Sequence, residues 1–129
     1  MRAMLDTSVL IGPLPDDVID AIEEYSASFV VRAELLRGRA RFERSPGLTP
    51  AALARTQLIR TLDSLPGFWR EFGAAESDAY ATLETPTEAA ARTKDALIAA
   101  HAIALEVPLM TDDEGFTRFR GLRLITAAP

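Results

Sequence analysis

The sequence predicts an α/β domain: a short, mostly parallel sheet flanked by helices. Three observations carry this. Short apolar or β-branched runs alternate with segments of helical periodicity along the chain, which is the order that parallel strands and their crossovers require. Residues 94–106 are apolar almost all round, as a helix buried against a sheet must be. Carboxylates stand at the turns from strand to helix. Asp6 and Glu34 follow apolar runs at helix starts, Asp95 opens a helix, and Asp113 follows an apolar run.

The elements follow in order. Residues 2–5 read as a short buried strand, and 7–11 as the start of a helix with Asp6 or Thr7 as cap, broken by Gly12-Pro13-Leu14-Pro15. Residues 16–25 form an amphipathic helix, with Val18, Ile19 and Ile22 on one face and Asp20, Glu23 and Glu24 on the other. A second strand is expected over 28–31 and a helix over 33–44, stopped by Ser45-Pro46-Gly47. Thr49-Pro50 reads as a cap with proline in the first turn of a helix to about Leu65, where Leu58, Leu62 and Leu65 share a stripe. Residues 68–72 form a short strand, 75–83 a helix and 85–87 a loop. Thr93 caps the helix 94–106. A strand over 107–111, a helical turn over 114–119 and an edge strand over 122–125 complete the chain.

At 129 residues the chain is one domain, 1–129, and a chain of this size buries roughly two-thirds of its unfolded surface without a disulfide or structural zinc. It has no cysteine, which removes thiolate zinc sites and cysteine nucleophiles. The start lacks a signal-peptide pattern, and no apolar run approaches the ~18 residues of a membrane span, so a cytoplasmic protein is expected. A net charge of −5 argues against a general nucleic-acid coat. An acidic site neutralised by cations, with a local basic patch, is still compatible with a nucleic-acid enzyme.

Each carboxylate has a plain structural explanation. Asp6 can be an N-cap, Glu34 and Asp95 can complement a helix dipole in a first turn, and Asp112 and Asp113 can be turn residues. Asp95 is hardest to explain this way. It shares a helix face with Ile98, Ala99 and Ala102, and a carboxylate at the head of a buried helix needs a partner or a metal. His101, the sole histidine, lies around the helix from Asp95 and reads as a core residue, which removes Ser-His-Asp catalysis. Phosphate loops and dinucleotide fingerprints are absent. Acidic oxygens without His or Cys favour hard cations, Mg²⁺ or alternatively Mn²⁺.

The motifs together resemble the PIN domain, and especially the small VapC-like toxins of prokaryotic toxin–antitoxin pairs. Met4-Leu5-Asp6-Thr7-Ser8-Val9-Leu10-Ile11 looks like the opening strand and first acid. Ala33-Glu34-Leu35-Leu36-Arg37-Gly38 is similar to the second acidic motif, and Lys94-Asp95-Ala96-Leu97-Ile98-Ala99-Ala100-His101-Ala102 to the third. Leu109-Met110-Thr111-Asp112-Asp113-Glu114-Gly115-Phe116 resembles the closing T-x-D-x-x-F motif. The segment 63–92 matches in outline, and Val30, Val31 and Arg32 stand where many relatives have a Ser or Thr before the second acid.

The resemblance implies a three-layer α/β/α PIN-like fold and a Mg²⁺-dependent ribonuclease hydrolysing RNA phosphodiesters. Asp6, Glu34, Asp95 and Asp113 would be its catalytic and metal-binding residues, with Ser8 and Thr111 as supports and Asp112 as the alternative to Asp113. It also implies a VapB-like antitoxin and a homodimer. RNA would need cations near the acids. Arg37, Arg41 and Arg44 recur at helical spacing from Glu34, with Arg39 nearby, and Arg92 and Lys94 flank Asp95. The plain explanation is a solvated face with a Glu34–Arg37 pair. Trp69 and Phe68 read as core rather than as base-stacking residues. Apolar faces of 16–25, 49–65 and 75–83 are candidate grooves for a partner.

Rival functions are weaker. A divalent-metal adhesion module would need D-x-S-x-S, but Leu10 occupies the second Ser position. An Asp-nucleophile phosphotransferase would need D-x-D, but Ser8 stands there. A PIN-like RNA- or protein-binding module without nuclease activity would not need the full acidic set.

Overall fold

Strand β1 (Ala3–Leu5) is the centre of a five-stranded, all-parallel sheet, and all three of its residues are buried. The computed structural model describes residues 1–127. After β1 come α1 (Thr7–Leu10), α2 (Asp16–Asp20), a 3₁₀ turn (Ile22–Glu24), β2 (Tyr25–Ser28), α3 (Phe29–Glu43) and α4 (Thr49–Asp63). They are followed by β3 (Trp69–Arg70), α5 (Ala74–Ala81), α6 (Glu88–Ala91), α7 (Lys94–Leu105), β4 (Leu109–Met110), a 3₁₀ turn (Glu114–Arg118) and β5 (Leu124–Ile125).

The sheet order is β3-β2-β1-β4-β5. The chain winds outward from β1 to β3, returns across the sheet, and then winds outward on the other side. The winding therefore reverses between β1 and β4, and in open α/β sheets that reversal leaves a crevice at the carboxyl ends of the strands.

The core joins both sides of the sheet. Met4, Leu5, Leu35, Ile98, Leu109 and Phe116 are fully buried. Helix α7 behaves as its composition requires: Ala96, Ile98, Ala99, Ala100, His101 and Ala102 are buried, and Thr93 Oγ1 caps it by accepting the Ala96 N–H at 3.2 Å. The small alanines let α7 lie close to its neighbours.

Several boundaries differ from the sequence reading. The second strand is Tyr25–Ser28, not 28–31, and Phe29-Val30-Val31 is helical. Ser28 Oγ accepts the Val30 N–H at 3.1 Å, so the apolar triplet follows an N-cap and starts a helix. Tyr25 is drawn into the sheet by pairing with Ala3, which ends the expected helix 16–25 at Asp20 and leaves a 3₁₀ turn. Ile19 is consequently half exposed while Val18 is buried. The cap of α4 is Leu48 rather than Thr49, and α6 occupies part of a stretch not assigned to any element.

Candidate active site

Asp6 lies at the carboxyl end of β1 and is almost wholly buried. Its backbone carbonyl begins α1, but its side chain makes no capping bond. Oδ2 instead accepts two hydroxyls, Ser8 Oγ and Thr111 Oγ1, each at 2.9 Å. A hydroxyl has one proton to give, so the Ser8–Thr111 contact at 3.2 Å carries no proton while both donate to Asp6. Their lone pairs accept the Asp112 N–H (on Ser8, 3.1 Å) and the Asp113 N–H (on Thr111, 3.0 Å). Two backbone amides of the loop after β4 thus polarise two hydroxyls onto one carboxylate. Ser8 and Thr111, named as supports from sequence, both converge on Asp6.

Glu34 was expected in a first helical turn. Because α3 starts at Phe29, Glu34 is a full turn deeper, beyond the reach of the helix N-terminal field. Its carboxylate is held by tertiary partners: Thr7 Oγ1 donates to Oε1 at 2.8 Å, and Lys94 Nζ lies 3.5 Å from Oε2. No Glu34–Arg37 ion pair forms among the described residues. Burial raises the Glu34 carboxyl above its ordinary range. Thr7 and Lys94 pull it back, and the charges of Asp6 and Asp95 push it further up.

Asp95, in the first turn of α7, is also raised, by burial first and then by Asp6. Lys94 and Arg118 oppose this and Asp113 adds to it. Arg118 Nη2 stands 3.6 Å from Asp95 Oδ2. Asp113 caps the final 3₁₀ turn, with Oδ1 accepting the Gly115 N–H at 2.8 Å. Asp112 and Asp113 are both exposed, but Asp112 lines a separate groove with Leu14 and Asp16. Asp113, not Asp112, is thus the one whose charge is felt at Asp95.

Four segments distant in sequence therefore bring Asp6, Glu34, Asp95 and Asp113 into one electrostatic neighbourhood at the carboxyl end of the sheet. Among the described residues no three acidic or imidazole side chains stand close enough to enclose an ion by themselves. The donor set nevertheless suits a hard divalent cation. It is all oxygen, the charges of Asp6 and Asp95 raise the Glu34 pKa and those of Asp6 and Asp113 raise the Asp95 pKa, and an ion that keeps several waters, as Mg²⁺ does, needs only one or two direct carboxylates. Lys94 and Arg118, at 3.5 and 3.6 Å, balance the acids loosely.

Of the cations near the acids, Arg39 pairs with Glu43, and neither it nor Arg92 lines the cleft beside Glu34. Arg37, Arg41, Arg44 and Lys94 line a cleft of about 460 Å³ together with Glu34 and Thr7. Arg118 and Arg55 were not singled out from sequence, and Thr7 only as a possible helix cap. Thr7 had a signal, a hydroxyl beside Asp6. Arg55 had none, because only the packing of α4 on α3 brings it to this cleft. Phe68 is buried and Trp69 half-buried, with Trp69 Nε1 donating to Asp63 at 2.7 Å.

His101 is fully buried. Its Nδ1 lies 2.8 Å from Ser28 Oγ, and its Nε2 has no partner. Burial lowers its pKa. It joins α7, which bears Asp95, to the cap of α3, which bears Glu34, so its role is structural.

The PIN-domain family model matches residues 3–122. The chain is similar to solved structures of VapBC2 from Rickettsia felis bound to a promoter DNA fragment (24% identity, 98% of each chain, TM-score 0.71). It is also similar to VapBC-5 from Mycobacterium tuberculosis (20% identity, 97% of this chain and 96% of that one, TM-score 0.70). A third such structure is DNA-bound VapBC from Salmonella typhimurium (17% identity, 99% of each chain, TM-score 0.68). At these identities the likeness establishes a shared fold. No curated protein matches.

Proposed function

Because this chain belongs to the PIN-domain family, we propose that it is a metal-dependent ribonuclease and the toxin of a VapBC-type toxin–antitoxin pair. The observation that carries the reading is the set of four carboxylates at the winding reversal, two of them raised by burial and mutual repulsion, beside a cationic cleft. Such a set is poorly compensated by protein cations alone and suits a divalent ion facing a phosphodiester.

Asp6, Asp95 and Asp113 would hold the ion, with Glu34 contributing directly or through water. When bound, Mg²⁺ supplies a more acidic water and stabilises charge on the phosphate. Ser8 and Thr111 keep Asp6 in one orientation. Thr7 and Lys94 fix Glu34. Arg37 and Arg41 would draw the RNA backbone to an otherwise acidic site. The partner would be a VapB-like antitoxin, and more than half-exposed Leu53 and Ile19 offer apolar surface for it.

The deciding experiment is cleavage of a mixed RNA pool by purified, partner-free protein in Mg²⁺ or EDTA, comparing the natural chain with Asp6→Asn. The expected result is cleavage that disappears on chelation and in the variant. RNA binding without cleavage by folded, Mg²⁺-loaded protein would replace the nuclease with a binding module of the same fold.

A further inference from the structure

The cationic cleft holds a feature that the acidic site does not require. Arg37, Arg41 and Arg44 from α3, Arg55 from α4 and Lys94 from α7 surround it, with Glu34 the one carboxylate in its wall. This is a strong local concentration on a chain of net charge −5. Among the described residues only Lys94 of these five is in an ion pair.

Arg55 is seated by two contacts. Its guanidinium carbon lies 5.3 Å from the centre of the Phe42 ring, which Arg41 approaches at 5.6 Å. It also lies over Gly38, where a Cβ would come within 2.6 Å of Arg55 Nη1. A glycine within a helix weakens it, and at Gly38 it makes the notch that admits the guanidinium. Two arginines thus share one aromatic ring, and among the described residues neither is in an ion pair. Burial and then Arg41 lower the Arg55 pKa, and the Glu34 carboxylate across the cleft offsets part of this.

We infer that Arg55, held in the Gly38 notch beside Arg41, is a subsite for a backbone phosphate of the RNA strand, on the α3–α4 side of Glu34 and apart from the phosphate being cut. The inference rests on the nuclease reading above and deepens it. Planar guanidinium groups suit phosphate because they donate two parallel hydrogen bonds. A second anchored phosphate fixes how the strand lies across the acids, so Arg55 acts on substrate position rather than on the reacting bond.

The test is binding of a fluorescent single-stranded RNA oligonucleotide to the full chain carrying Asp6→Asn, titrated over a range of salt. Adding Arg55→Gln should weaken binding several-fold and reduce the slope of log K against log salt by about 0.7, the value of one single-strand phosphate contact. Gly38→Ala, which keeps the charge but displaces it, should weaken binding in the same direction, and Arg55→Lys should fall between. Circular dichroism checks that each variant is folded. In the cleavage-competent chain, Arg55→Gln should raise KM more than it lowers kcat.

An unchanged slope in folded Arg55→Gln and Gly38→Ala would overturn the subsite, and cleavage by the natural chain would then show that the nuclease reading survives. Arg55-dependent RNA binding by a natural chain that cuts no RNA would reject the nuclease and keep the subsite. Equal Arg55 dependence for an oligo-glutamate peptide of the same charge would show a carboxylate-reading surface and overturn the phosphate assignment.

Discussion

Replacing Thr111 by valine tests the network around Asp6. The substitution keeps the side-chain shape and removes the hydroxyl. Two hydrogen bonds are lost: the donation to Asp6 Oδ2 at 2.9 Å and the acceptance of the Asp113 N–H at 3.0 Å. Thr111 is 5% exposed, so water does not readily replace either. A hydrogen bond to a charged group contributes about 1.5–3 kcal/mol, and an amide left without its acceptor costs about 1 kcal/mol more, so the expected loss is about 2.5–4 kcal/mol. At this chain length that lowers Tm by roughly 8–12 °C. Urea denaturation at pH 7 measures it. Thr111→Ser is the control: it keeps the hydroxyl, loses one methyl and should cost only about 1 kcal/mol. RNA cleavage should follow the hydroxyl, falling in Thr111→Val and persisting in Thr111→Ser. Thr111→Val as stable as Thr111→Ser would refute the argument that these hydroxyls, rather than packing, hold Asp6.

Two further outcomes follow from the site. Asp95 has a folded-state pKa above its ordinary 3.8, so its ionisation opposes folding. Stability is undiminished below about pH 4 and is lost as pH rises through the raised value. Asp95→Asn should therefore have a higher Tm than the natural chain at pH 7 in EDTA, with the gain vanishing toward pH 3. A lower Tm at pH 7 would show that Arg118 and Lys94 compensate the charge fully. Ser28→Ala removes the α3 cap and the partner of buried His101 Nδ1. The cap contributes about 1 kcal/mol and the buried imidazole nitrogen about 1–3 kcal/mol. A urea midpoint that moves by less than the cap alone would mean that His101 finds another partner.

Much of the architecture was legible because it is written in local pattern. The apolar circumference of α7 and the Thr93 cap announce a buried helix, and the run ending at Leu5 announces β1. Alternation of elements sufficed for a parallel sheet, and at the carboxyl ends of its strands Thr111 bonds both the Asp6 carboxylate and the Asp113 N–H. Strand β2 was misplaced because Tyr25-Ser26-Ala27-Ser28 carries little β-propensity. It is a strand because β1 and β3 pair with it on either side, whereas the β-branched pair after Phe29 becomes helical once Ser28 caps it.

Residue type and order along the chain determined the donor chemistry, the class of fold and which helix faces are apolar, since these depend on neighbours within a few residues. Tertiary packing alone decided that Thr7 holds Glu34, that Arg118 reaches Asp95, and that Arg55 enters the notch at Gly38. Those contacts join segments from different helices and turns, and their geometry is set by how closely α4 and α7 lie on α3. No local periodicity records such distances, because they are settled by the shapes of all the buried side chains together.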